Sequence, residues 1–371
     1  MRTLHIETGR HLYGGAEQVA YLLRELSRDP DWPAEVVCTR DSAILERARE
    51  MPLVCHPLPL RGDLDPSFFL RLVRLIRDRQ PDVVHVHSRR GADVWGGLAA
   101  RVCRIPAVVT RRVDNPESAL AARAKYGLYS RVAVISDAIR GVLLREGVPR
   151  DKLVRIPSAV DSQAYQGDCD RDAFLREFDL EPWHVPVGMI AQFIRRKGHA
   201  DLVQALPDIL QRSPEARVIF FGRGPLEDEV RKRLEQSGMS EAVRFAGFRD
   251  DLERILPCLD LVIHPAHMEG LGVSLLQAAA AGVPLVGYQA GGVPEIVRDG
   301  ESGRLVSCGD IQGLARAASE VLADQDLAAA LGRGGRDLVQ REFSVPAMAE
   351  AYKELYREVA GDHGRGDEAG H

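Results

Sequence analysis

Short apolar runs alternate with longer amphipathic stretches along all 371 residues, and this alternation limits the possible folds more than any other feature. Runs at 3–8, 34–39, 83–87, 107–110 and 131–135 in the first half have strand length. So do 187–191, 217–222, 243–248, 259–263 and 284–287 in the second. Strand and helix taking turns in this way predicts an α/β protein with parallel sheets covered by helices on both faces. The chain is too long for one ordinary core, so two domains are expected.

Composition narrows the function classes. With 45% apolar and 28% charged residues, wholesale disorder is excluded. The N-terminus MRTLHIETGRH has no apolar core of a signal peptide and reads as a strand and a turn. No run approaches the length of a membrane span. The six cysteines (Cys38, Cys55, Cys103, Cys169, Cys258, Cys308) show no metal-ligand spacing. Reduced thiols in a cytoplasmic protein are therefore expected, with neither a disulfide frame nor a zinc site. The net charge of -5 is unevenly spread: residues 1–165 carry 26 Lys/Arg against 20 Asp/Glu, the remainder 23 against 34. A basic front half either meets phosphate or an anionic membrane surface, or spreads its arginines over solvated faces. The amphipathic segment 66–79, PSFFLRLVRLIRDR, is expected to cover a sheet in preference to resting on a bilayer.

The most informative stretch is 264–295, HPAHMEGLGVSLLQAAAAGVPLVGYQAGGVPE. An apolar strand leads into the glycine turn Glu269-Gly270-Leu271-Gly272. A helix from Val273 to Ala281 follows, stopped by Gly282 and Pro284. A helix that opens on such a turn offers free N–H groups and the positive end of its dipole, which suits a pyrophosphate. Val273, Ser274 and Leu275 supply those groups, Glu269 stands beside them, and Gln277 lies further along the helix. Two other turns have the same character. Gly14-Gly15 opens a helix after the first strand, a weak signal alone. Gln192-Phe193-Ile194-Arg195-Arg196-Lys197-Gly198 is a cationic turn into another helix. In PDVVHVHSRR, His85 and His87 point the same way, and His87 closes its strand at the edge where such sheets bind ligands. Arg89 and Arg90, with Arg111 and Arg112, end neighbouring strands and form a candidate basic rim for an anionic ligand.

These motifs jointly resemble the retaining, family-four glycosyltransferases over roughly residues 4–359. The matching positions are Glu269, Gly270 and Gly272, then Ala281-Gly282-Val283-Pro284, then Gly291-Gly292-Val293-Pro294-Glu295. GGAE after the first strand, PDVVHVHS, and Lys197-Gly198 fit as well. Departures are Gln277 for a second glutamate that grips ribose, Gln192 for an arginine, and Arg111 or Arg112 for a histidine. Ser158 and Ala159 also break the IPNGVD pattern that closes the first domain.

The resemblance implies two Rossmann-like domains facing across a cleft, the GT-B fold, with the last helix crossing back to the first domain. The expected division is 1–167 for acceptor, 168–345 for nucleotide-sugar, 346–360 for the returning helix and 361–371 for a flexible tail. It further implies Lys197, Glu269 and His87 as catalytic. Gly15, Arg196, Phe248, Val273, Ser274, Leu275 and Gln277 would bind the donor, and Arg89, Arg90, Arg111 and Arg112 would lie on the acceptor side. No metal and no cofactor besides the nucleotide-sugar co-substrate are expected. Neither is nucleic acid. The acceptor would be a glycan or glycolipid of the bacterial envelope, such as lipopolysaccharide, handled in the cytoplasm or at the inner membrane face. Alternatives are a nucleotide-sugar hydrolase or epimerase, or a decayed nucleotide-sugar-binding subunit. A dinucleotide oxidoreductase is disfavoured because no GxGxxG follows the first strand.

Overall fold

The central strands of a parallel sheet are buried on both faces and so read as short apolar runs, and thirteen strands stand among the described residues of a computed structural model, 1–10, 14–89 and 91–368. The chain divides into two compact units, Met1–Ser158 with Val345–His371, and Ala159–Ser344.

The first unit contains β1 (Thr3–Ile6), β2 (Ala34–Cys38), β3 (Val54–Pro57), β4 (Val83–Val86), β5 (Ala107–Arg111), β6 (Arg131–Val134) and β7 (Leu153–Arg155). All pair in parallel, in the order β3-β2-β1-β4-β5-β6-β7. The order reverses between β1 and β4, where Ile6 pairs with Val86. The second unit contains β8 (Val185–Ile190), β9 (Ala216–Phe221), β10 (Val243–Gly247), β11 (Leu261–His264), β12 (Leu285–Tyr288) and β13 (Gly303–Val306). These are ordered β10-β9-β8-β11-β12-β13, also parallel, and reverse between β8 and β11. Adjacent connections leave to opposite sides of the sheet at such a reversal, so a crevice opens beyond the strand ends. Each unit is thus Rossmann-like, with one preferred place for a ligand.

The helix Pro66–Arg79 buries Phe68, Leu72, Val73 and Ile76, so it covers the sheet as its apolar stripe requires. Ser136 caps the helix Asp137–Arg145, its hydroxyl accepting from the Ile139 N–H at 3.2 Å. The last helix, Val345–Glu368, belongs to the first unit. Tyr356 and Tyr352 on it are buried. The Tyr356 hydroxyl meets His85 Nδ1 at 2.6 Å, and the Tyr352 hydroxyl meets Thr110 Oγ1 at 3.0 Å. This helix continues to Glu368, past residue 360 where the sequence reading ends it.

Two expectations need correcting. Residues 159–167 group with the second unit, so the break precedes the polar patch that was read as a linker. That patch is pinned: Cys169 forms a disulfide with Cys258, 89 residues away and 5.0 Å between Cα atoms. Asp170 Oδ1 accepts from the Ala173 N–H at 3.0 Å and caps the helix Arg171–Glu177. The pair contradicts the expectation of six reduced thiols and removes the thiol argument for a reducing compartment. Cys38, Cys55, Cys103 and Cys308 are free. Among the described residues, no helix is long and apolar enough to cross a membrane.

Candidate active site

At the reversal point of the second unit, two turns leave the neighbouring strand ends β8 and β11 and lock together. The first is the 3-10 turn Arg195–Lys197, ending on Gly198 at φ +76°. A Cβ on Gly198 would stand 1.8 Å from the Pro265 carbonyl oxygen, so only glycine allows the approach. Across this contact the His267 N–H donates to the Arg196 carbonyl at 2.8 Å. The second turn is closed by Gly291 at φ +55°, whose Cβ would lie 2.0 Å from the Glu269 carbonyl oxygen. The Gly292 N–H donates to that same carbonyl at 2.9 Å.

The locked turns bring Lys197 Nζ onto Glu269 Oε2, a direct ion pair with both side chains largely buried. His264, at the end of β11, meets the same oxygen through Nε2 at 2.9 Å, while its Nδ1 is buried without a partner. The Gly270 N–H donates to Oε1 at 3.2 Å. Burial alone would raise the Glu269 pKa, but the His264 hydrogen bond and the Lys197 charge override it and pull the carboxyl down to about 2. Glu269 is therefore a fixed anion and Lys197 its counter-charge. His199, which opens the next helix, stacks on Phe193 at 4.2 Å between ring centres. Burial, with help from His264 and Lys197, lowers its pKa to about 4, so this ring is neutral near pH 7.

The helix Val273–Ala281 starts from Gly272 at φ +101°. The Leu275 N–H already donates to the Gly272 carbonyl at 3.0 Å. Of the three amides expected to face an anion, that of Leu275 is thus already engaged within its own turn. Gln277 Nε2 donates to the Tyr165 hydroxyl at 2.7 Å, whereas a glutamate there would accept from that hydroxyl. Arg196 is exposed on its turn and Phe248 is 59% exposed beyond β10.

In the first unit, the reversal between β1 and β4 gathers His5, His85 and His87. His5 Nδ1 meets His87 Nε2 at 3.0 Å, and His5 Nε2 meets Thr3 Oγ1 at 3.0 Å. His85 Nε2 meets Thr110 Oγ1 at 2.7 Å. One nitrogen from each ring lies within 4.8 Å of the others, close enough for a shared metal. Those on His5 and His85 are all engaged by protein groups, however, and burial lowers all three pKa values, that of His5 to about 3. The arrangement fits a chain of neutral rings better than a ligand set.

Gly15 lies half-buried in the first turn of the helix Gly14–Ser27. Arg89 is exposed, 3.8 Å from Glu117, and Arg90 lies outside the described residues. The expected rim fails at Arg111, which is only 2% exposed and paired with Glu117 at 2.5 Å. Its Nη2 also donates to the Asn115 carbonyl. Glu117 takes Lys125 at 2.5 Å as well, so Arg111 is part of a closed network within the unit.

The family Glycosyltransferase Family 4 matches residues 13–164, and Glycosyl transferases group 1 matches 185–338. A GDP-mannose-dependent alpha-(1-6)-phosphatidylinositol monomannoside mannosyltransferase of Mycolicibacterium smegmatis is 32% identical over 76% of this chain and 78% of its own. The chain belongs to the group 1 glycosyltransferases. Another relative, the lipopolysaccharide core biosynthesis glycosyltransferase LpsE of Rhizobium meliloti, is 34% identical over 47% of this chain. That match spans only half, 50%, of LpsE. The crystal structure of Anabaena Alr3699/HepE in complex with UDP superimposes with a TM-score of 0.85 at 20% identity, covering 96% of this chain and all of that one. The likeness establishes a shared GT-B fold class.

Sequence reasoning named Lys197 and Glu269 but gave no role to His264, although it stands in the quoted stretch. Tyr165 ends the substituted closing motif and takes its aromatic position, but its bond to Gln277 had no signal in the sequence.

Proposed function

We propose that this group 1 chain transfers a sugar from a nucleotide-sugar to a hydroxyl of an envelope glycan or glycolipid, with retention of anomeric configuration and without a metal. The observation that carries the reading is the buried Lys197–Glu269 pair beside the start of the helix Val273–Ala281. When a nucleoside diphosphate leaves, charge builds on its outer phosphate. Lys197 and the Val273 and Ser274 N–H groups are the donors within one unit that stabilise such charge. Glu269, kept anionic by its neighbours, holds sugar hydroxyls and steadies a cationic anomeric centre. Gln277, with one amide N–H on Tyr165, keeps its carbonyl oxygen to accept from a ribose hydroxyl.

Support for the donor class comes from the relatives: the Mycolicibacterium protein is named as GDP-mannose-dependent, and the Anabaena structure holds UDP. Support for an envelope acceptor comes from the lipopolysaccharide and phosphatidylinositol named for the two sequence relatives. The test is incubation with UDP-, GDP-, ADP- and dTDP-sugars and a lipopolysaccharide-core or phosphatidylinositol-mannoside acceptor pool, with proton NMR of the product. Release of nucleoside diphosphate together with a glycoside of unchanged anomeric configuration is expected. Free sugar as the sole product, or an inverted linkage, contradicts the proposal.

A further inference from the structure

Four elements of the second unit meet beyond the strand ends, and each lends one side chain to a line of hydrogen bonds. Cys308 comes from the turn after β13, His267 from the turn after β11, Tyr288 from the end of β12, and Asp201 from the first turn of the helix His199–Arg212. Cys308 Sγ stands 3.3 Å from His267 Nδ1, and His267 Nε2 stands 3.0 Å from Asp201 Oδ2. The Tyr288 hydroxyl donates to the same Asp201 oxygen at 3.0 Å.

A carboxylate oxygen only accepts, so it takes the imidazole proton on Nε2 and leaves the Nδ1 lone pair facing the thiol. The ring is held in that orientation. Its backbone N–H donates to the Arg196 carbonyl at 2.8 Å, and it meets the Tyr288 ring edge-on with 5.7 Å between centres. Burial and the Asp201 charge push the Tyr288 pKa up, so its hydroxyl stays a donor. Another charged group on this turn, Asp310, faces its own helix: Oδ1 accepts from the Gly313 N–H at 2.8 Å, and Oδ2 lies 3.8 Å from Arg316. Thiol, imidazole and carboxylate in this order are a nucleophile, its base and a group that orients the base.

Cys308 also differs from the other free cysteines. Cys38 is buried, Cys55 and Cys103 are half-buried, and Cys308 is exposed. The adjacent Gly309 has open space where a Cβ would stand, so the turn is accessible on that side. Desolvation and the Asp201 charge raise the Cys308 pKa. The resting thiol therefore keeps its proton, and His267 is the group placed to remove it.

We infer that Cys308, with His267 as its base and Asp201 orienting that base, is a modification site that exchanges with small disulfides to form a mixed disulfide. His267 Nδ1 takes the thiol proton, the Cys308 sulfur attacks one sulfur of R–S–S–R, and the S–S bond breaks. The departing thiolate recovers the proton and leaves as R–SH. The disulfide is the oxidant: one half is released as a thiol while Cys308 is oxidised to Cys308–S–S–R. The relay stands independently of the sugar-transfer reading.

The full chain, treated at pH 7 with the uncharged probe 2-hydroxyethyl disulfide, is followed by intact mass and by mapping of the modified peptide. A first adduct on Cys308 is expected, absent in Cys308→Ser. Cys308 should react faster than the free model thiol N-acetylcysteinamide, although its pKa is the higher. His267→Gln should slow the reaction roughly tenfold or more and Asp201→Asn by less, with the near-UV circular dichroism retained. The gap between wild type and His267→Gln should narrow toward about pH 10, where the thiol ionises without help. A purely steric role for His267 would leave that gap unchanged with pH. First modification at another cysteine, a rate no faster than the model thiol, equal rates with and without the imidazole, or a gap constant with pH each overturns the site.

Discussion

Glu269 illustrates how a residue's role is set by what surrounds it. Held to about pKa 2 against an ordinary 4.5, it binds its proton more weakly folded than unfolded. Its contribution to stability is thus complete above about pH 4.5 and disappears as the pH falls toward 2. Glu269→Gln should flatten the stability curve across that window, as urea melts at successive pH values would reveal; an unaltered slope would mean the carboxyl is not held this way. Lys197→Ala, which strips the proposed diphosphate cradle of its cation, should lower turnover about 100-fold or more with the near-UV circular dichroism retained. Near wild-type rates would remove Lys197 from the chemistry. These two residues were legible because glycine turns frame them in the sequence. His264 was not, because nothing in the sequence shows that its ring turns onto the Glu269 carboxyl five residues later. Arg111 and Arg112, the latter with its guanidinium nitrogens buried and without a hydrogen-bond partner, could not be told apart either: the side a residue takes at a strand end depends on its partner, here Glu117 six residues on from Arg111, and no spacing rule links the two.

At the scale of elements, the sequence made the central strands plain and, β10 apart, the outermost ones obscure. β3, β7 and β13 were not anticipated, and all three lie at sheet edges. An edge strand is buried less completely, so its pattern weakens: β3 reads VCHP with both ends exposed, and β7 has only three residues. The turns, by contrast, are strongly specified by glycine. Gly198→Ala places a methyl group against the Pro265 carbonyl at a backbone angle that disfavours any side chain. A loss of roughly 1–3 kcal/mol or more is expected, read as a lower urea midpoint, together with weaker nucleotide-sugar binding, because this contact holds Lys197 next to Glu269. Unchanged stability would show that the two turns are not locked as described.

Over the whole molecule, the alternation of strand and helix foretold parallel sheets, chain length foretold two units, and the family resemblance implied a last helix returning to the first. The point of division was less visible, because Ser162–Tyr165 joins the second unit through Tyr165 and Gln277, a side-chain contact with no local signature. The disulfide between Cys169 and Cys258 escaped notice for a similar reason, being closed by folding and not by spacing. Titration of the unfolded, unreduced chain with a thiol reagent should count four reactive cysteines, and six would contradict the pairing. Reduction should cost the second unit roughly 2–4 kcal/mol, since the bridge closes a long loop. The central claim is that the second unit binds a nucleotide-sugar through Lys197 beside Glu269. A thermal-shift screen of the wild-type chain and Lys197→Ala against UDP-, GDP-, ADP- and dTDP-sugars tests it most directly. The account predicts that at least one nucleotide-sugar raises the wild-type midpoint in a dose-dependent way and that most of this rise is lost in Lys197→Ala. No rise with any of the four, or the same rise in both proteins, would contradict it.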